Sequence, residues 1–418
     1  MSDRADPAGR ARISLFVGKG GVGKSTVATA TAVRDARGGQ RVLIVSTDQA
    51  HSTGDVLGAE VAPTGLREPT RVAVDDGAGV FLDALALDTL ALLEARWREV
   101  AAVLVARFPE SDLGDVAPEE LSSLPGIQEV LGLHEVAELA GSGNWDHLIV
   151  DCASTADAMR MLTLPAAFAL YLERAWPRHR RLSVGLADPR SAAMVMLIER
   201  LAGATEALGT LLDEPNVTAH LVLTPERVVV AEAVRTLASL TLLGVHVAEL
   251  IVNQVLIQDD SFEYVNLPAH PAFDWYAERI AEQRSMLTDL DAAVGDVRLV
   301  LVPHLAGEPI GPKALGELLD AARLRHGSPP PPPPRPIVDR ESGSGLAAVY
   351  RLRIELPQID PESLTLGRVD DDLIIGSGGT RSRVPLASVL RRCIVTGAQL
   401  RGHELTVRFR PNPEVWPK

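Results

Sequence analysis

The sequence has few cysteines, and this scarcity limits the kinds of site that it can form. Its two cysteines, Cys152 and Cys393, are too few for a disulfide framework. They also form no CxxC pair of the kind that holds zinc or an iron–sulfur cluster. A chain with so few cysteines is typical of a reducing compartment, and we therefore expect a cytoplasmic protein.

The chain also lacks an excess of basic over acidic residues, and it lacks long apolar runs. Lys and Arg number 41 against 55 for Asp and Glu, a formal net charge of −14, which opposes broad adhesion to nucleic acid or to anionic lipid. No apolar run reaches the roughly 18 residues that a membrane-spanning helix requires. Residues 1–12 are polar and contain no apolar core of a signal peptide. We expect no nucleic-acid partner, no stable membrane insertion and no export.

The strongest positive feature is a glycine-rich loop between the apolar run at 13–17 and a helical pattern. Its glycines let backbone N–H groups cradle the β- and γ-phosphates of a nucleotide, Lys24 can contact the same oxygens, and Ser25 can ligate Mg²⁺. A chance match in a flexible turn is disfavoured because strand, loop and helix follow in the required order. The loop consists of Gly18, Lys19, Gly20, Gly21, Val22, Gly23, Lys24, Ser25 and Thr26.

A second lysine, Lys19, directly follows the first glycine of this loop. This arrangement resembles the deviant Walker A loop of dimeric ATPases, in which that lysine reaches the nucleotide of the partner. The alternative is a solvated surface lysine. The resemblance predicts a homodimer in which Lys19 and Lys24 both assist catalysis.

The order of apolar runs predicts the fold of the first domain. The strand at 13–17, a helix over 26–37 and a strand at 42–45 form a βαβ unit, and Gly38 and Gly39 end the helix. Further apolar runs read as strands buried on both faces of a sheet. These observations predict a doubly wound, mostly parallel α/β sheet of the P-loop NTPase kind. The further runs lie at 148–150, 220–223, 250–252 and 299–302.

The composition changes along the chain and predicts its organisation. A P-loop ATPase domain is expected over 1–327, with a helical lobe formed roughly by 88–140 and 158–212, whose apolar faces are more typical of packed core than of a client groove. A proline-rich linker is expected at 328–345. Alternating apolar and polar residues predict a small antiparallel β-sandwich over 346–418.

Two aspartates follow strands that end at the carboxyl edge of the predicted sheet, beside the glycine-rich loop. Asp48 follows the strand at 42–45 and could orient the attacking water or a water on Mg²⁺. Asp151 follows the run at 148–150 and could act as the Walker B carboxylate that supports Mg²⁺, partly through water. For each aspartate, capping of a helix N-terminus is the alternative.

Several segments together resemble one known family. The loop at 19–26, the segment Ser46 to His51 and the segment Asp151 to Pro165 carry most of the resemblance, and further matches lie at 125–129, 225–235, 252–254 and 302–311. Together they resemble the ArsA-type ATPases, which include the arsenical-pump-driving ATPase and the ATPase that targets tail-anchored membrane proteins. The C-terminal segment resembles the small-heat-shock-protein-like domain of some bacterial members.

The resemblance carries expectations for ligands and partners. It implies ATP and Mg²⁺ as cofactors, Asp48 in switch I, Asp151 at the start of switch II, and Asn253 and the loop at Pro303 against the adenine. It also implies a homodimer that acts on an unidentified protein client. Arsenite binding is disfavoured, because a metalloid site needs several thiols brought together and Cys152 and Cys393 lie far apart in the chain.

The sequence also departs from the family pattern. Switch II usually reads Asp-Thr-Ala-Pro-Thr-Gly-His, but here the last four residues are Ser154, Thr155, Ala156 and Asp157. Ala156 does not easily adopt positive φ, and Asp157 would place an anion near the phosphates. Three interpretations stay open: a homodimeric ATPase that rearranges its helical lobe, a nucleotide-sensing scaffold with little turnover, and, less favoured, a partitioning-type ATPase.

Overall fold

The computed structural model describes residues 10–48, 52–64, 68–75, 79–95, 127–164, 177, 203, 207–212, 214–257, 270–328, 336–356, 359 and 361–416. The described residues fall into two compact units. The first is drawn from Met1–Pro225, Glu249–Pro268 and Leu299–Arg325, and the second from Glu226–Ala248, Ala269–Arg298 and His326–Lys418. None of the helices described is both long and apolar enough to cross a membrane.

A ten-stranded sheet forms the centre of the first unit. Its order is β10-β9-β8-β7-β1-β6-β2-β5-β3, with β4 paired to β5. The strands are β1 (Arg12–Val17), β2 (Val42–Ser46), β3 (Pro63–Thr64), β4 (Thr70–Ala73), β5 (Phe81–Leu87), β6 (His147–Asp151), β7 (Val217–Leu223), β8 (His246–Val255), β9 (Leu299–Pro303) and β10 (Arg323–His326).

The pairing of these strands explains why the apolar runs are continuous. β1 pairs in parallel with β6 and β7, and β2 pairs in parallel with β5 and β6. Every residue of β2 and β6 is buried, as parallel strands covered on both faces require. β4 is antiparallel to β5. The predicted mostly parallel α/β sheet is therefore confirmed.

The position of β6 between β1 and β2 brings the site together. In the register, Asp151 of β6 lies beside Phe16 of β1 and Ser46 of β2. The carboxyl ends of the three strands therefore meet at one edge of the sheet, next to the loop that follows β1.

The helices are α1 (Lys24–Arg37), α2 (Ser52–Leu57), α3 (Ile127–Gly141), α4 (Arg227–Leu242), α5 (Pro271–Val294), α6 (Gly311–Asp320) and α7 (Ser388–Arg391). Residues 89–95, 155–164 and 207–212 are also helical. These segments and α3 lie in the stretches predicted as a helical lobe. Residues 96–126 and almost all of 165–202 lie outside the described residues, so the lobe and its apolar faces remain a prediction.

The second unit contains two antiparallel sheets, ordered β11-β12-β17-β16 and β13-β14-β15. Residues of both sheets share one apolar core, among them Leu352, Leu373 and Phe409. The small antiparallel β domain expected here is present. Its strands are β11 (Ile337–Ser342), β12 (Val349–Glu355), β13 (Thr365–Val369), β14 (Asp372–Ser377), β15 (Thr380–Pro385), β16 (Cys393–Arg401) and β17 (Glu404–Pro411).

Two features of this unit differ from the expected organisation. β11 lies inside the stretch 328–345 that was predicted as linker, because Ile337 and Val338 begin a strand that pairs with β12. Helix α4, which comes from the predicted ATPase domain, contributes Leu242 to the core of the β sheets. Ser239 of α4 also shares a hydrogen bond of 2.9 Å with Thr380.

A chain of buried and half-buried polar side chains passes through Ser14 in the sheet of the first unit. His147 Nε2 and His220 Nε2 lie 2.9 and 3.2 Å from the Ser14 hydroxyl. The Nδ1 atom of His147 contacts Asp35 at 2.9 Å, and that of His220 contacts Glu249 at 2.9 Å. Burial lowers the pKa of His147, although the Asp35 carboxylate opposes the shift. Each of these polar side chains therefore has a hydrogen-bond partner.

Candidate functional site

The loop after β1 needs its glycines for two different physical reasons. A Cβ on Gly18 would lie 2.2 Å from the carbonyl oxygen of Val222, so the two backbones approach too closely for any side chain. Gly21 and Gly23 have φ values of 83° and 86°, in the left-handed region that favours glycine. A Cβ on Gly23 would also lie 2.2 Å from Nδ2 of Asn253. Close neighbours from β7 and β8 therefore constrain the loop at Gly18 and Gly23.

The two lysines of the loop lie in different environments. Lys24 is the first residue of α1 and is buried, and its ammonium donates to the carbonyl oxygen of Lys19 at 3.2 Å. This contact folds the ammonium back over the loop, where a phosphate would lie. The side chain of Lys19 is exposed. Its predicted role concerns a second copy of the chain and stays a prediction.

Asp151 is the most perturbed carboxyl group of the site. It is completely buried, and its Oδ2 accepts a hydrogen bond of 3.3 Å from the Thr53 hydroxyl. Burial raises the pKa of Asp151 to about 6, although the hydroxyls of Ser25 and Thr53 and the charge of Lys24 oppose the shift. Its Oδ1 has no hydrogen-bond partner among the described residues. A buried carboxylate oxygen of this kind requires a ligand or a water.

The donors around Asp151 fit Mg²⁺. Ser25 and Ser52 share a hydrogen bond of 2.8 Å, so two hydroxyls lie on the side of the site where α1 and α2 begin. Hydroxyl and carboxylate oxygens are the ligands that Mg²⁺ prefers, with waters and phosphates completing its shell. In the described part of the chain no cluster of three or more His, Cys, Asp or Glu could hold a metal by itself. Ser25 and Asp151 are therefore the side chains that could hold Mg²⁺ together with a nucleotide.

Asp48 lies in the loop that follows β2. The N–H of Thr47 donates to the carbonyl oxygen of Asp151 at 3.0 Å, and the N–H of Asp48 donates to the Ser46 hydroxyl at 3.3 Å. These bonds fix the start of the loop against the end of β6. Asp48 is partly exposed and lines a cavity of about 280 Å³ together with Asp157. Residues 49–51, the rest of the predicted switch I, lie outside the described residues.

Asn253 and Pro303 line a second cavity, of about 470 Å³, next to Gly23 and Thr26 of the loop. The Asn253 amide donates to the carbonyl oxygen of Val22 at 2.9 Å and is buried. Asn253 therefore supports the loop directly, a role that the sequence analysis missed because the two residues are far apart in the chain. Contact of Asn253 and Pro303 with adenine stays a prediction.

The segment after Asp151 does not have the backbone conformation that was expected at Ala156. A helix begins at Thr155 and is described to Leu164, and Ala156 lies in its first turn without positive φ. The Asp157 carboxylate accepts a hydrogen bond from the Ser154 hydroxyl at 2.6 Å and forms an ion pair with Arg160. The expected strain at Ala156 is thus absent, because the segment is helical there. The charge of Asp157 is balanced by a neighbour.

Both cysteines described are buried. Burial raises the pKa of Cys152 to about 12, so its sulfur stays a thiol at neutral pH. Cys393 belongs to the core of the second unit. Each of the two thiols is therefore part of the interior of its own unit.

Comparison with known families and proteins agrees with this geometry. The model of the family described as anion-transporting ATPase matches residues 11–322, and that of the HSP20-like domain found in ArsA matches residues 347–409. Protein Rv2184c of Mycobacterium tuberculosis is 70% identical over the full length of both chains. A protein of Streptomyces coelicolor is 34% identical over 97% of this chain and 99% of its own.

A more distant relative carries a functional name. The arsenical pump-driving ATPase of Escherichia coli is 27% identical over 90% of this chain, which spans 58% of that protein. Family membership indicates an ATP-hydrolysing protein, in keeping with the glycine-rich loop and with the aspartates at its edge. The chain belongs to the ArsA family of anion-transporting ATPases and carries the HSP20-like domain found in that family.

Proposed function

We propose that this protein is a homodimeric ATPase that binds ATP with Mg²⁺ at the glycine-rich loop and hydrolyses it. The buried Asp151 carboxylate carries the proposal, because its Oδ1 has no partner among the described residues and it lies beside Ser25 and Lys24. In an apolar protein interior, such an oxygen is unfavourable unless a cation or an ordered water contacts it.

Each side chain of the site has a distinct task in this proposal. The glycine-rich loop binds the phosphates through its N–H groups, and Lys24 balances their charge with its buried ammonium. Ser25 and Asp151 hold Mg²⁺, which neutralises charge on the phosphate oxygens when it is bound. Asp48 accepts a hydrogen bond from the attacking water and orients it. Asn253 keeps the loop in position through the carbonyl group of Val22.

A second copy of the chain completes the site in this proposal. The Lys19 side chain is exposed and lies in the same loop as the buried Lys24, so it can extend to the nucleotide of a partner. Sedimentation of the full chain with Mg²⁺ and a non-hydrolysable ATP analogue tests this step. We expect a dimer for the unsubstituted protein and a weaker dimer for Lys19→Ala. A monomer at saturating analogue would contradict the dimeric mechanism.

We further propose that closure of the dimer rearranges α3 and the helical segment 89–95 that follows β5, and thereby acts on a protein client. Support comes from the position of Asp48 and Asp157, which line one cavity with Gln128 of α3 and Thr89 of the helical segment 89–95. The Thr89 hydroxyl donates to the Gln128 amide oxygen at 3.1 Å. A movement of Asp48 when the phosphates bind or leave could therefore be transmitted through this cavity to the helices of Thr89 and Gln128.

A nucleotide-sensing scaffold with little turnover is the second candidate. The observation that favours it is the ordered segment around Ser154 and Asp157, which differs from the family pattern in switch II. ATP affinity without phosphate release would support the scaffold.

Phosphate release from ATP by the purified chain separates the two candidates. We expect Mg²⁺-dependent turnover that is lost in Lys24→Ala and reduced by at least about 100-fold in Asp48→Asn, in the range typical of a lost general-base contact. Lys313→Ala and Asp320→Asn change the same residue types at exposed positions of α6 and should match the unsubstituted protein. Equal rates for all five proteins would contradict the assigned roles.

A further inference from the structure

The segment after β6 begins a helix through contacts among its own residues. The carbonyl oxygen of Ser154 accepts the N–H of Ala158 at 2.9 Å, and its hydroxyl oxygen accepts the N–H of Asp157 at 3.2 Å. The same hydroxyl donates to Oδ2 of Asp157 at 2.6 Å. Ser154 is thus the N-cap residue, and Asp157 stands three positions later, where its carboxylate accepts from the Ser154 hydroxyl and not from the backbone N–H of a full capping box.

The residue types at these positions all favour a helix. Serine is among the best N-cap residues, alanine has the highest helix propensity, and a carboxylate in the first turn interacts favourably with the helix dipole. Ala156 is exposed, so packing in the core does not account for an alanine at this position. Arg160 follows Asp157 by one turn and pairs with it. In the family pattern, proline, glycine and histidine occupy the positions of Ser154, Ala156 and Asp157, and each of these differences increases helix stability.

The capped helix forms part of the wall of the candidate site. Asp157 and Ala158 line the cavity of about 280 Å³ that Asp48 also lines, and Ala153 and Cys152 join this wall to the end of β6. Any change in the start of the helix would therefore change the space next to the residue that orients water. A helix start fixed by its own cap keeps this space constant.

We propose that Ser154, Asp157 and Arg160 act as positioning residues that hold this helix start in the same conformation whether or not a nucleotide is bound. The proposal rests on the proposed nucleotide site. Asp157 acts through the Ser154 hydroxyl and the backbone. The response to nucleotide then lies in the loop after β2, which contains Asp48, and the segment after β6 serves as a fixed wall.

Hydrogen exchange of residues 155–162 in the full chain tests the proposal, with and without Mg²⁺ and a non-hydrolysable ATP analogue. In the unsubstituted protein we expect rates that differ by less than about twofold between the two conditions. Without nucleotide, Ala156→Gly should accelerate exchange about fivefold, the effect of losing one helix-favouring alanine. Asp157→Ala should act similarly, and Asp157→Glu should restore slow exchange, because glutamate three positions after a serine N-cap can contact the N-cap residue and keeps a negative charge in the first turn.

The matched control is Ala277→Gly, which makes the same change at an exposed position of α5. It should accelerate exchange in α5 and leave residues 155–162 unchanged. The proposal is overturned if the analogue slows exchange of residues 155–162 more than about tenfold in the unsubstituted protein, or if Ala156→Gly leaves their exchange unchanged. Binding of a fluorescent analogue is measured in the same samples. Failure to bind would refute the proposed nucleotide site, and the comparison without nucleotide would still decide whether the cap fixes the helix.

Discussion

The burial of Asp151 has an energetic cost that can be measured in the protein without nucleotide. Burial raises the pKa of this carboxyl group from 3.8 to about 6. In the unfolded chain the group is ionised with its ordinary pKa, so at pH 8 the difference corresponds to about 3 kcal/mol that opposes folding. The stabilising effect of Lys24 and of the neighbouring hydroxyls is already contained in this value.

Asp151→Asn removes the charge and retains most of the shape. At pH 8 we expect the free energy of unfolding to rise by about 1 to 3 kcal/mol, the lower value allowing for weaker hydrogen bonds to the neutral amide. Because the folded-state pKa is raised, the opposing contribution is complete above pH 6 and disappears as the pH falls towards 3.8. At pH 4.5 the advantage of the variant should therefore be smaller by about 2 kcal/mol.

Urea unfolding at pH 8 and pH 4.5, followed by circular dichroism, provides the assay. The matched control is Asp48→Asn, which makes the same change at the same edge of the sheet but at a partly exposed side chain. It should show no comparable gain. The same Asp151→Asn protein should lose Mg²⁺-dependent nucleotide binding. An unchanged or lower free energy of unfolding for Asp151→Asn at pH 8 would refute the account of this site.

Three further predictions concern other buried groups. Asn253→Ala leaves the Val22 carbonyl oxygen without its donor, and we expect a loss of about 1 to 3 kcal/mol in unfolding free energy, measured by urea denaturation, together with weaker nucleotide binding. Burial lowers the pKa of His147, so as the pH falls below about 6.5 the imidazole is protonated in the unfolded chain before it is protonated in the folded one. The melting temperature should therefore fall more steeply with decreasing pH in the unsubstituted protein than in His147→Asn. Equal slopes of melting temperature against pH would contradict this prediction. Cys152, with a pKa of about 12 and a buried sulfur, should resist iodoacetamide at pH 8 in the folded protein and react after denaturation; rapid labelling of the native chain would show that the thiol is accessible.

Local sequence patterns were sufficient to predict the positions of Asp48 and Asp151. Each follows a short apolar run, and the runs become β2 and β6, whose ends adjoin the loop after β1. Parallel strands buried on both faces leave few other interpretations of such runs. The glycine-rich loop was equally predictable from its local pattern, and the structure shows why glycine is needed at Gly21 and Gly23, which have positive φ, and at Gly18, which lies against the backbone of Val222.

Features that depend on distant parts of the chain were not predictable. The bond from Asn253 to Val22 joins residues separated by 231 positions, and no local pattern indicates it. The helical pattern of α4 is visible in the sequence, but its contribution of Leu242 to the core of the β sheets is not. β11 was not predicted, because the proline-rich run before Ile337 indicates an extended linker and gives no sign of where the following strand begins.

The helix start at Ser154 shows why departures from a family pattern require a structure. Comparison with the family pattern indicated that Ala156 would be strained and that Asp157 would place an anion near the phosphates. The strain is absent because the segment is helical at Ala156, whereas Asp157 lines the cavity beside Asp48 and is paired with Arg160.

Equilibrium binding of a fluorescent, non-hydrolysable ATP analogue measures whether the glycine-rich loop is a nucleotide site. We expect saturable, Mg²⁺-dependent binding that ATP displaces. Lys24→Ala should bind at least about tenfold more weakly because a charge-assisted phosphate contact is lost, and Lys313→Ala should bind as the unsubstituted protein does. Equal affinity of Lys24→Ala and the unsubstituted protein, or binding that does not depend on Mg²⁺, would contradict the proposed nucleotide site.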